Sequence, residues 1–142
     1  LSITTYQGSL GIDHAINAAA DSVWEVLPTV YEEMGVPVET IDIESNVVGN
    51  IEFDVRRRLA GEPMSRLLDC GAGAFSAPLA DRYLIRMSLT TGVSESENET
   101  SIITTRLAAS ASNPAVSGGP VNCSTTGRLE QAIADRVTSL VR

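Results

Sequence analysis

The chain has 142 residues, a formal net charge of −8 and ten basic residues, every one an arginine. That length suits one domain, 1–142, with a sizeable core, and no apolar run approaches the roughly 18 residues of a membrane span. An acidic surface repels phosphates, which argues against nucleic acid as a partner.

The charge is unevenly placed. Residues 1–55 hold ten acids and no arginine, while residues 56–142 hold eight acids and all ten arginines. One histidine and two cysteines do not make a zinc site, and no cofactor is expected. Leu1 opens the chain without an apolar leader, so any targeting signal or membrane tether is placed upstream of it.

Residues 1–8 are polar and read as a flexible lead-in. From Leu10 to Ile16 apolar and polar residues alternate, as in a half-buried strand. Asn17 or Asp21 can cap a following helix, in which Ala20, Val23, Trp24, Leu27, Val30, Tyr31 and Met34 form one apolar stripe. Pro28 predicts a kink or a break in it. Gly35 and Pro37 end it.

Ile41 and Ile43, then Ile51, Phe53 and Val55, predict a hairpin with one apolar and one acidic face, turning at 45–50. Residues 57–81 lose periodicity and read as a long loop, with one turn of helix at Met64–Leu68. Tyr83 to Leu89 and Ile103 to Ala109 alternate as two further strands, joined by the polar run Gly92–Thr100. A loop at 110–122 leads to a last helix, capped by Thr125 or Thr126, with Leu129, Ile133, Val137 and Leu140 as its stripe. Arg136 and Arg142 complement its dipole. The class is therefore α+β: an antiparallel sheet of about five strands with both helices on its apolar face, a helix-grip-like arrangement.

No residue set suggests catalysis. His14 falls on the apolar face and reads as a structural histidine, since no nucleophile stands in a motif that would use it. The run Gly71–Ser76 lacks the strand and helix that a phosphate-binding loop requires. Arg56, Arg82, Arg86 and Arg106 should project from the sheet's outer face. Cross-strand ion pairs with acids of the neighbouring hairpin are the simpler account of them, and an anion-facing patch the sharper one.

Cys70 and Cys123 are incidental in a cytosolic chain and a pair in an exported one. Parity along the meander sends the loops that carry them to the same end of the sheet, and a Cys70–Cys123 disulfide is expected.

Two resemblances attach to these residues. IDHAINAAADSVWEVL resembles the opening of START/Bet v1-like (SRPBCC) ligand-binding proteins. The fuller AADSVWEVLPTVYEEMGVPVETIDIESNVVGNIEF, with the closing GRLEQAIADRVTSL, is more similar to BamC-type envelope lipoproteins. The second implies a non-enzymatic interaction or assembly domain, periplasmic or otherwise extracytoplasmic, with an envelope protein as partner. The first implies the alternative, a carrier holding a small apolar ligand between sheet and helix. For that pocket, Ala109, Gly127 and Ala132 offer room, with His14 as a further candidate to face a ligand or partner.

Overall fold

The structure is a computed structural model that describes residues 11–73, 76–115 and 118–141. The lead-in expected at 1–8 and the terminal Arg142 lie outside them. In chain order the elements are β1 (Ile12–Ile16), α1 (Ala20–Met34), β2 (Thr40–Asp42), β3 (Val47–Arg56), β4 (Arg58–Leu59) and β5 (Glu62–Pro63). A one-turn α2 (Met64–Leu67), β6 (Leu68–Asp69) and a 3-10 turn (Leu79–Asp81) follow. The chain then forms β7 (Leu84–Glu95), β8 (Ser101–Ser112), β9 (Val121–Thr125) and α3 (Arg128–Leu140).

The class is α+β, as the sequence implies, but the sheet has seven strands rather than about five. Its order is β2-β3-β7-β8-β9-β6, with β1 pairing the first half of β8 beside β9, and all its pairings are antiparallel. The 57–81 stretch is not a plain loop: it holds the β4–β5 ribbon, α2, β6 and the 3-10 turn. β8 also runs on to Ser112 and β9 begins at Val121, inside the stretch read as loop. β7 continues through Gly92 to Glu95, so that turn is shorter than expected. Tyr83 and Arg82 precede β7 instead of belonging to it.

Alternation in β7 and β8 puts Ile85, Met87, Leu89, Thr91 and Val93 beside Ile103, Thr105, Leu107 and Ala111 on one face, all buried. Val23, Leu27, Val30 and Tyr31 of α1, with Leu129, Ile133 and Val137 of α3, cover that face and are fully buried. Such contacts carry most of the stability, at roughly 1.5–3 kcal/mol for each large side chain buried. Two threonines inside this core need partners, and they have them. The Tyr31 hydroxyl meets Thr91 Oγ1 at 2.8 Å, and Thr91 Oγ1 meets Thr105 Oγ1 at 3.1 Å. Burial pushes the Tyr31 phenol pKa well above its ordinary value.

Three local expectations change. α1 runs unbroken through Pro28, which lies on its exposed side. Trp24 is only partly buried at the margin of the core. Neither Asn17 nor Asp21 caps α1; Ala19 is its N-cap, without a side-chain bond. Gly35 ends the helix as expected, at φ 84°, in the left-handed region.

The third change concerns β3. Asn50 stands opposite Leu89 and Phe53 opposite Met87, so β3 carries one extra residue between them. That is a β-bulge. Ile51 and Glu52 both oppose Ser88 on the outer face. Strict alternation places Ile51 with Phe53 and Val55 in the core; the bulge turns it out, and it is 66% exposed. At Gly49 the two strands come so close that a Cβ would sit 2.2 Å from the Leu89 carbonyl oxygen, so only glycine fits.

Candidate interaction surface

The two lateral edges of the sheet are built differently. At one, β6 pairs β9 with Leu68 opposite Thr125 and Asp69 opposite Ser124, which carries Cys70 to the position opposite Cys123. Their Cα atoms are 4.2 Å apart and their sulfurs are joined at 1.99 Å. The expected pairing is present, but for a more local reason than two loops sharing an end. The cysteines are cross-strand neighbours, at the short spacing of an antiparallel pair that does not exchange hydrogen bonds. Cys70 is buried. Around the bridge, Thr126 binds the carbonyls of Arg66 and Leu67 through Oγ1, at 2.7 and 3.1 Å, and its N–H donates to Leu67. Asp81 caps α2 by accepting the Ser65 N–H at 2.8 Å.

At the other edge the β2–β3 hairpin exposes its apolar side chains. Ile41 is 58% exposed, Ile43 76% and Ile51 66%. The sequence pattern assigns all three to the core. β2 has only three residues and lies at the sheet margin, so alternation alone did not guarantee a covering layer. Asp42 shapes the turn by accepting the N–H groups of Glu44 and Ser45, and hydrogen bonding to Ser45, through its side chain first and then its N–H, holds the Asp42 carboxyl below the usual range. Asn50, almost fully buried, ties the hairpin to the segment that joins it to α1. Its Nδ2 donates to the Pro37 carbonyl at 3.0 Å and to Glu39 Oε2 at 3.2 Å, and its Oδ1 accepts the Glu52 N–H at 3.0 Å. Sequence reading missed Asn50, because a lone asparagine beside a glycine looks like turn. An adjoining groove of about 510 Å³ is lined by Pro28, Val36, Pro37 and Val38 at the end of α1.

The four arginines expected to share a patch are spread out. Arg56 and Arg86 lie on the outer face of neighbouring strands. Arg86 is engaged with Asp54, directly across the ladder, its Nε 3.0 Å from Oδ1. That guanidinium lowers the Asp54 pKa, and Asp54 raises that of Arg86. Arg106 is also engaged, and it stands opposite Thr90, farther along β7. Arg82 follows the 3-10 turn, off the sheet.

His14 faces α3 from β1. Its Nε2 lies 3.3 Å from Gln131 Oε1, and Gln131 Nε2 donates to Asp135 at 2.9 Å. His14 Nδ1 is buried and has no partner among the described residues. Gly127 and Ala132 line a cleft of about 670 Å³ on the flank of α3, an ionic one, with Glu62 between Arg66 and Arg128. Arg128 is the main cause of a lowered Glu62 pKa. Ala109 sits away from that cleft, opposite Met87 and Cys123. Of the four residues expected to line one pocket, Gly127 and Ala132 share this cleft, His14 reaches its wall through Gln131, and Ala109 lies apart. Glu130 was not foreseen: it is fully buried, with Oε2 accepting from Thr125 at 2.6 Å and Oε1 without a partner among the described residues. Its place in the apolar stripe of α3 gave no sequence signal.

No described helix is long and apolar enough to cross a membrane. No family model, curated protein or solved structure matches the chain.

Proposed function

We propose that this chain is a non-enzymatic interaction or assembly domain that works outside the cytoplasm, in a bacterial cell envelope, with another envelope protein as its partner. The β2–β3 hairpin carries the reading. Three of the four large apolar side chains that stand exposed among the described residues are on this one hairpin, which Asn50 and the Asp42 turn hold in a fixed shape. Isolated exposed apolar residues need no explanation, but three gathered at one braced edge, Ile41 on the core-face side opposite Val48 and Ile51 on the outer face, offer a partner apolar contact around that edge. The cross-strand disulfide supports an oxidising compartment. The resemblance to BamC-type proteins supports the envelope.

The test is photo-cross-linking in bacteria that export the domain. A photoreactive residue at Ile43 should give a discrete protein adduct, and the same residue at exposed Glu97 should not. Equal labelling at both positions would overturn the reading. Native mass spectrometry separates it from the START-like carrier, for which a co-purifying lipid-like mass is expected.

A further inference from the structure

β2 pairs only with Val47, Val48 and Gly49 of β3. From Ile51 to Arg56, the side of β3 away from β7 has no strand beside it among the described residues. Such an edge offers the N–H and C=O groups on that side to another strand, apart from the Glu52 N–H, which Asn50 Oδ1 already accepts. We propose that it pairs with the same edge of a second copy, antiparallel, about a two-fold axis through Asp54.

Charge complementarity selects both the occupant and the register. After the bulge, Glu52, Asp54 and Arg56 point to the outer face, and Phe53 and Val55 to the core face. A two-fold axis perpendicular to the sheet keeps these faces matched and makes the contact isologous. Centred on Asp54, it sets Glu52 opposite Arg56 twice and Phe53 opposite Val55 twice. The two Asp54 carboxylates meet at the axis, each already held by its own Arg86. Centred on Phe53, the axis would instead set Glu52 against Asp54 twice, acid on acid. Centred on Val55, it would run into Arg57, whose φ of 71° ends the strand. Neither Glu52 nor Arg56 belongs to an ion pair within the chain among the described residues. Arg56 is therefore available to its counterpart, and Glu52, whose charge is felt by Arg86 without a direct pair, is available as well.

Five residues per edge bury far less than the roughly 1,600 Å² of a standard interface, so the dimer should be weak, micromolar or looser. This inference goes beyond the proposed function, because self-pairing needs no foreign partner. The two fail separately: a monomer can still cross-link a partner through Ile43, and a dimer can form where no partner is captured.

Sedimentation equilibrium from about 1 μM to about 1 mM should show a monomer–dimer equilibrium. Arg56→Glu sets glutamates against each other at two places, and Glu52→Arg does the same with arginines. Each should weaken the dimer roughly tenfold or more. The double swap Glu52→Arg/Arg56→Glu restores both pairs and should return the affinity to near that of the parent. Asp54→Cys, on the axis, should form an intermolecular disulfide with its own copy under mild oxidation, and Ser88→Cys should not. A parent monomeric over the whole range overturns the proposal. So does an association that the double swap fails to restore, or equal cross-linking at positions 54 and 88.

Discussion

The sheet ends in two unlike edges. The β6–β9 edge is a two-residue strand held by a disulfide, by Thr126 and by the Asp81 cap. The β2–β3 edge has no covalent tie, relies on Asn50 and the Asp42 turn, and exposes isoleucine. The first edge spends its chemistry on closing the fold, since so short a strand cannot hold itself. The second is held just firmly enough to present a defined surface. On the proposed reading, stability and recognition occupy opposite ends of one sheet, and perturbing each end should give a different kind of result.

The largest effect is expected at the closed edge. Cys70→Ser/Cys123→Ser removes a link across a sequence separation of 53 residues. In the chain-entropy model this lowers unfolding stability by about 4 kcal/mol. Urea unfolding of the variant against the oxidised parent measures it, and a loss below about 1 kcal/mol would mean that the β6–β9 ladder holds that edge unaided. Cross-linking at Ile43, at the far edge, should survive wherever the variant is folded.

Next in size is Asn50→Ala. It leaves the Pro37 carbonyl and the Glu52 N–H without their side-chain partner, beside a buried site. A loss of about 2–3 kcal/mol is expected in the same urea assay. Unlike the cysteine change, it should also disturb the hairpin and weaken Ile43 adducts. If stability falls and the adducts stay intact, the hairpin's shape does not depend on this brace.

How far these edges could be read in advance differs for physical reasons. The α1 and α3 stripes were legible because 3.6-residue spacing of residues such as Leu27 and Ile133 persists over several turns. The Cys70–Cys123 pairing was legible through parity, but β6 was not, since two residues carry no period. Likewise β9 hides in a Gly/Pro-rich stretch with only a Val121–Cys123 alternation to mark it. The outward turn of Ile51 was illegible for a third reason: a bulge inserts one residue, and a period-two pattern inverts beyond it. The surface residues of greatest interest are those where periodic reasoning failed.

A smaller effect is expected from acid. Glu33 of α1 is bonded to Arg136 of α3, with a second contact of 3.0 Å from the guanidinium to Oε2. This bond is the chief cause of a Glu33 pKa below its ordinary value. A carboxylate with a depressed folded pKa adds stability above its unfolded value of about 4.3, and that stability is lost as pH falls through the folded value. The pair is surface-exposed, so the contribution is small and should shrink with salt. Arg136→Gln should therefore be less stable than the parent at pH 7, and the difference should close as pH falls from the unfolded value through the lower folded one. A difference that persists in acid would point to packing by the arginine stem instead.

The smallest effect on stability, and the sharpest on the comparison, is expected from Ile43→Ser. Ile43 is 76% exposed, so its removal costs the folded state little, within about 0.5 kcal/mol. Against a partner the same side chain would be buried, and losing it there would forfeit roughly 1.5–3 kcal/mol, about a tenfold or greater loss of affinity. No other position at this edge separates the two quantities so cleanly. Ile51 lies beside the edge proposed to self-pair, and Ile41 is inside β2, where serine would also weaken the strand. An Ile43→Ser domain that unfolds at the same urea concentration but no longer competes with the parent for cross-linked partner would fix the contact to this corner. If it competes as well as the parent, the exposed isoleucine is incidental, and the search for a partner surface moves to the small polar side chains of the outer face around Ser88 and Ser110.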